Sequence, residues 1–369
     1  MPRTRVDLFE EAGFGWFRVI DADWFDLATG KLNMETFRAL RGAWRPYLEI
    51  GAKMALVAPF PSRVPGHEPG SPSYFRAWQE ACRIAAAEVG DIVRLWQIGN
   101  EPNLWLFRRP LDLEQAAEFA FSAAEGLWMG DPTAFVGINP CCRDDDMRRT
   151  YELTYGPTAR VKLDYVGIDL YPGSYIPGSP DSYSDVIAEL DRLIPDDRPI
   201  VFMEFGYPSK GGRKTLDAAT VTAFARSLGY RQIEDIRADP TAFLAAIPAP
   251  LRGSLDGVPA PAFRDEVLDI AQHVFKRWLF TWPGHAHDEA DQARFYERAL
   301  PILLEQPRVL GLFVFSWTDH PLGDPFCWRC EATDCPIETG HGILYGDETP
   351  KPAFQVFKDT IARYTASAT

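Results

Sequence analysis

Residues 93–105 read VRLWQIGNEPNLW, and their pattern decides the fold. An apolar run, VRLWQI, reads as a strand, and Gly99, Pro102 and Asn103 supply the turn chemistry that ends it. Asn100 and Glu101 sit at the break. A carboxylate at the lip of an apolar strand is partly desolvated, which costs free energy and so raises the question of its task.

The same unit recurs on either side. Strands are predicted at GWFRVID (15–21), KMALVAPF (53–60), AFVGINP (134–140), DYVGIDLYP (164–172), PIVFMEFGYP (199–208) and RVLGLFVFSW (308–317). Amphipathic helical stretches separate them, among them METFRALRGAWRPYLEIG, YFRAWQEACRIAAAEVG and YSDVIAELDRLI, and PAFQVFKDTIARY closes the chain. Strands apolar on both faces belong in a parallel sheet covered by helices. Repeated βα units over most of 369 residues predict a (β/α)8 (TIM) barrel forming a single catalytic domain over 1–369, with its active site at the C-terminal strand ends. An open doubly wound sheet lacks support, because no strand leads into a Gly-rich phosphate turn. Counting gives seven strands, with the helix-like RVDLFEEAG before the first, as though an initial strand were missing. Residues 208–262, with the Pro-, Ala- and Gly-rich IPAPLRGSLDGVPAPAF, form a long insertion at a strand's catalytic end, expected to be a lid or substrate-shaping wall.

Composition narrows the function. With 46% hydrophobic and 24% charged residues the chain can bury a large core. A net charge of −14 argues against nucleic acid and anionic membranes as partners. No apolar run reaches the ~20 residues that span a bilayer. MPRTRVDLFEEAG has no following apolar stretch of signal-peptide type, so a cytoplasmic address is expected. Aromatic residues make up 13% of the chain, including 11 Trp and 24 Phe, and Trp24, Trp105 and Trp328 fall in loops, where such rings either stack on sugars or pin loops to the barrel.

The polar residues at predicted strand ends are Arg18, Asp21, Asn100, Glu101, Asn139, Tyr171 and Glu204, with Trp317 beside them. Strand-end alternation is read as turning Asp169 toward the helices, which leaves it outside the catalytic set. Glu101 and Glu204 follow strands that lie nearly across the barrel mouth. Two facing carboxyl groups are what glycoside hydrolysis requires: one protonates the leaving oxygen while the other attacks the anomeric carbon or activates water.

The NEP of Asn100-Glu101-Pro102 and the glutamate of FMEFGYPS resemble the clan A retaining glycoside hydrolases, over roughly residues 14–360. The resemblance implies a retaining β-glycosidase on a (β/α)8 barrel with no catalytic cofactor and an oligosaccharide or glycoside as substrate. It makes Glu101, after the fourth strand of that fold, the acid/base, and Glu204, after the seventh, the nucleophile. By the same resemblance Asn100 binds the sugar 2-hydroxyl, Arg18 keeps the nucleophile ionised, Tyr171 contacts it and Trp317 floors the subsite for the terminal sugar. The missing element is then the first strand, and the alternative reading is a catalytically impaired carbohydrate-binding protein, or a chain whose barrel a partner segment completes. A retaining pair stands about 5–5.5 Å apart.

Secondary signals stay open. Cys327, Cys330, Cys335 and His341 fall within FCWRCEATDCPIETGH with spacing compatible with a structural zinc, a disulfide or reduced packing cysteines, and the adjacent pair Cys141 and Cys142 is a further disulfide candidate. HAHDEAD (285–291) is read as a helix N-terminus in preference to a metal site, and the acidic run 144–146 as a helix start. His320 is a candidate substrate contact or a loop histidine with its own partners.

Overall fold

In the computed structural model, which describes residues 5–20, 24–26, 30–211, 218–275, 280–319 and 339–368, seven strands form one parallel sheet. These are β1 (Trp16–Ile20), β4 (Lys53–Ala58), β5 (Val93–Ile98), β6 (Phe135–Ile138), β7 (Tyr165–Leu170), β8 (Ile200–Phe205) and β9 (Val309–Val314). They neighbour one another in chain order, and β2 (Phe25–Asp26) with β3 (Lys31–Leu32) makes a small antiparallel hairpin after β1. Helices Met34–Glu49, Pro72–Val89, Leu113–Gly130, Asp145–Tyr155, Ser182–Leu193 and Glu289–Leu304 cross between successive strands, and Pro352–Ala368 follows the last. β1 and β9 approach to within 8 Å between Cα atoms, but no ladder joins them among the described residues. The sheet is a nearly closed TIM barrel of seven strands, and β5 takes the place of the fold's fourth. Among the described residues no helix is long and apolar enough to cross a membrane.

Two apolar layers hold the barrel. Outward-facing side chains meet the helices in the main core, which contains Phe17, Trp96, Val166 and Phe202. Inward-facing Ala55, Leu95, Tyr165, Val201 and Met203 fill the barrel beneath the site, with Phe135 and Phe313 packed against them. Tyr165 reaches across to donate to the Trp96 carbonyl at 3.1 Å. A Cβ on Gly137 would lie 2.7 Å from the Tyr165 ring, so glycine there is what lets the ring cross.

The insertion after β8 has more helix than its sequence announces. Ala218–Ser227, Asp235–Ala238, Thr241–Ala246, a 3-10 stretch Ala249–Leu255, and Ala260–Phe275 build a second apolar cluster of their own. Phe243, Val267 and Ile270 lie in it, and so does Trp105 from the loop after β5. The cluster therefore docks on the segment that carries Glu101. Its last helix starts at Ala260, within the Pro-, Ala- and Gly-rich stretch.

Candidate active site

Site residues arrive on the inward positions at the C-terminal strand ends. Arg18 comes from the middle of β1, and Gln97, two residues beyond inward-facing Leu95, comes from β5. Asn100 and Glu101 follow a turn with positive φ at Gly99 (64°) and at Glu101 itself (41°). A non-glycine residue in that region is under backbone strain, of a kind that concentrates at functional sites. Asn103 clamps this turn to the loop after β6, donating to the Cys141 carbonyl at 3.1 Å and accepting from the Cys141 N–H at 2.9 Å. Glu204 owes its inward direction to an irregularity in β8. The β7–β8 register pairs Ile168 with Phe202 but Asp169 with Glu204, so Met203 is the extra residue of a bulge. Met203 and Glu204 thereby both reach the barrel interior.

Carboxylate oxygens of Glu101, Asp169 and Glu204 all lie within 4.8 Å of one another. Arg18 donates to Glu204 Oε1 at 2.6 Å, to Gln97 Oε1 at 2.7 Å and to Asn100 Oδ1 at 2.9 Å. Tyr171 donates its hydroxyl to Glu204 Oε2 at 2.5 Å. Both oxygens of Glu204 thus have a donor. Burial, with the charge of Glu204 and Asp269 nearby, pushes the Glu101 carboxyl well above the usual carboxylate range. Burial and the neighbouring Glu204 and Glu101 do the same to Asp169. The site therefore offers an ion-paired carboxylate, Glu204, facing a carboxyl group, Glu101, whose burial favours the protonated form.

Asn100 is turned by its neighbours. Its Oδ1 accepts from Arg18, from Gln97 Nε2 at 3.1 Å and from Asn139 Nδ2 at 2.8 Å. Three donors on the oxygen leave the amide Nδ2 to face the pocket as a donor. Asn139 in turn bonds Asp169 Oδ2 at 2.6 Å, and its own Oδ1 accepts the Glu101 N–H at 3.3 Å.

Several expectations need correction. Asp169 does not face the helices: the pleat of β7 runs inward through Tyr165 and Tyr171, and Asp169 shares their parity, so its carboxyl joins the site with the residue 0% exposed. Trp24 is 0% exposed and packs on Phe37, Trp78 and Trp96 with centroids 5.0–6.0 Å apart, as a core ring and not a sugar platform. Trp105 is spent on the insertion's cluster, with the Arg108 guanidinium 5.7 Å over its ring. Trp317 turns away from the pocket, 4% exposed, onto Phe9 at 5.8 Å and Phe14 at 5.6 Å. Phe315, two residues earlier, is the ring beside Tyr171, at 5.9 Å.

His341, a zinc candidate in sequence, lies buried beside Tyr171. It stacks on Tyr175 at 5.6 Å, lies 5.8 Å from Tyr171, and places Nε2 3.3 Å from Ser174 Oγ. Cys327, Cys330, Cys335, His320, Trp328 and Asp21 lie outside the described residues. Cys141 and Cys142 are free thiols with their sulfurs 2.9 Å apart. HAHDEAD is a helix start, as expected: Asp288 caps Glu289–Leu304 by accepting the Asp291 N–H at 2.7 Å, and His285 pairs with Asp291 at 2.9 Å. Asp144 likewise caps its helix through the Met147 N–H at 2.6 Å. Asn139 stands where its strand-end position put it, whereas Gln97, Phe315 and Tyr175 had no motif to mark them, although Gln97 is a polar residue in an apolar strand two places after Leu95.

No protein-family model matches the sequence, and no curated protein matches it. Solved structures of similar fold are found. A GH5_18 protein from Streptomyces cattleya in complex with GlcNAc superposes with a TM-score of 0.58 at 14% identity, over 98% of this chain and 74% of that one. A GH5_18 variant from Bifidobacterium longum subsp. longum ATCC 55813, in complex with Manβ1-4GlcNAc, gives 0.62 at 13% identity, over 99% and 73%. A GH2 β-galacturonidase from Eisenbergiella tayi bound to galacturonate gives 0.52 at 14%, over 98% and 48%. At these identities the likeness is one of fold.

Proposed function

We propose that the chain is a glycoside hydrolase that cleaves β-glycosides with retention, Glu204 acting as nucleophile and Glu101 as acid/base. The observation that carries this reading is the approach of the Glu101 and Glu204 oxygens to within 4.8 Å. So close an approach of one oxygen from each favours a retaining pair, whose carboxyl groups stand about 5–5.5 Å apart, over an inverting pair at about 6.5–9.5 Å. Barrels of the same fold that bind GlcNAc, Manβ1-4GlcNAc and galacturonate support a sugar as substrate.

In the first step Glu204 attacks the anomeric carbon while Glu101 gives its proton to the leaving oxygen. Burial favours the protonated form of Glu101, and Arg18 and Tyr171 bond the two oxygens of Glu204 and aim it. In the second step Glu101, now ionised, takes a proton from the water that displaces Glu204. Asn100 Nδ2 binds the 2-hydroxyl, and Phe315 with His341 forms the pocket wall. The helices of 218–275 act as a cap over the Glu101 side.

The test is a panel of aryl β-glycosides read with wild type and Glu204→Gln side by side. Hydrolysis that disappears in the variant, together with azide rescue of Glu101→Ala on activated substrates, is the expected result. Full turnover by both variants would overturn the assignment.

A further inference from the structure

Asp169 is a buried acid for which the two-carboxylate mechanism has no use. Its Oδ2 accepts from Asn139, and its Oδ1, buried to under 1 Å², has no hydrogen-bond partner. It is enclosed by Glu101 from the turn after β5, Glu204 from β8, Arg18 from β1, Tyr151 from the helix Asp145–Tyr155, Tyr165 and Tyr171 from its own strand, and Cys141, which bridges to it from the loop after β6. Arg18 bonds Glu204, Gln97 and Asn100, and none of its bonds goes to Asp169. An ionised carboxylate with one bare oxygen, beside two further carboxyl groups, would have only the Asn139 amide and the charge of Arg18 to offset its desolvation. A carboxylic acid does not have this problem: its O–H is the donor that the other oxygens in this cluster can accept.

We propose that Asp169 is a positioning residue that carries a proton on Oδ1 and, through Asn139, fixes the amide of Asn100 for the sugar 2-hydroxyl. The relay is three side chains long. Asp169 Oδ2 holds one Nδ2 proton of Asn139, the second goes to Asn100 Oδ1, and Asn100 Nδ2 is thereby presented to substrate. The proton on Asp169 keeps the count of charges in the cluster at one cation, Arg18, against one anion, Glu204. An ionised Asp169 would repel Glu204 and hinder Glu101 from ionising between the two steps.

This inference rests on the glycosidase reading for its second half only, and the experiment separates the two. An infrared difference spectrum at pH 7, wild type minus Asp169→Asn, needs no substrate. Loss of a protonated carboxyl C=O stretch is expected, and loss of carboxylate bands in its place overturns the proton. Kinetics then address the relay, using an aryl glycoside that wild type cleaves and its 2-deoxy counterpart. Asp169→Ala is expected to lose about 100-fold in kcat/KM on the 2-hydroxy substrate, the cost of a misplaced contact. On the 2-deoxy substrate the loss is expected to be about tenfold smaller, and Asp169→Asn, which keeps an oxygen for Asn139, recovers most of it. Equal losses on both substrates overturn the relay even where Glu204→Gln abolishes turnover. If wild type cleaves no glycoside the functional reading fails, the relay falls with it, and the infrared result still decides the proton.

Discussion

Arg18 tests the electrostatics of the proposed nucleophile most directly. It is nearly buried, as is Glu204, and its Nη1 lies 2.6 Å from Glu204 Oε1. Charge centres in such a contact stand about 4 Å apart, which at an effective dielectric of about 20 is worth ~4 kcal/mol. Arg18→Met keeps much of the apolar stem and withdraws that support. Because the contact favours the ion, losing it moves the acid limb of kcat/KM upward, by less than the bare Coulomb figure once water relaxes into the gap. The sign follows from the chemistry: the nucleophile must be ionised, its cation favours the ion, and removing the cation therefore costs activity in acid that returns as pH rises. Arg18→Lys restores the charge but not the fork to Gln97 and Asn100, so its limb returns while kcat stays depressed. The assay is the pH profile of kcat/KM on one aryl glycoside for the three proteins. An acid limb common to wild type and Arg18→Met would refute the reasoning, because it would mean that the residue whose ionisation limits the rate does not feel Arg18.

Other expectations follow from single contacts. Phe315→Ala raises KM, whereas Trp317→Phe leaves KM in place and lowers stability, since Trp317 packs on Phe9 and Phe14 outside the pocket; steady-state kinetics with thermal denaturation separates the two. Trp105→Ala removes the ring that joins the insertion's cluster to the Glu101 segment, at about 3–5 kcal/mol, so limited proteolysis should cut first within 218–275. Lys351 is fully buried and donates to Asp319 and Ser209, both at 2.8 Å; Lys351→Met leaves the Asp319 carboxylate only the Gly342 N–H and the more distant Lys210, and costs about 3 kcal/mol in urea unfolding at pH 7. Burial already raises Asp319 above its ordinary range, and losing Lys351 raises it further, so the deficit shrinks as pH falls and the acid takes up its proton. A deficit that stays constant down to acid pH would show that the charge is not its cause.

The barrel and its two glutamates were legible because both rest on strong local signals. Apolar runs ended by turn residues fix strand ends, and a carboxylate there stands out against its neighbours. Reading which way a side chain points is harder, since that depends on counting without error along the pleat. Asp169 shares the parity of Tyr171 and could have been placed by counting from it. Glu204 follows inward-facing Met203, and only the bulge in β8 brings it into the site, which no alternation rule shows. Tryptophans gave no direction at all: a large ring in a loop serves equally to stack on a sugar or to pin the loop, and Trp24 and Trp105 do the second. The helices inside the insertion were not legible, because Asp235–Ala238 and Thr241–Ala246 are only 4 and 6 residues long, too short for a period to emerge.

Seven paired strands raise the question of how the barrel closes between β1 and β9. The answer lies in rings as much as in backbone. Phe9, from the helix Val6–Glu11, and Phe14, just before β1, both meet Trp317, just after β9, and Phe14 also meets Phe357 of the last helix at 5.7 Å. These contacts tie the two edge strands through side chains where a ladder is absent among the described residues. They also explain why Trp317 is drawn out of the pocket: the seam needs a large ring at that point. Phe315, two residues earlier, is then left beside Tyr171. Edges joined in this way remain partly open, and Leu310 on β9 is 62% exposed. The seam and the subsite floor are thus one arrangement, in which a ring used to close the barrel is not available to the sugar.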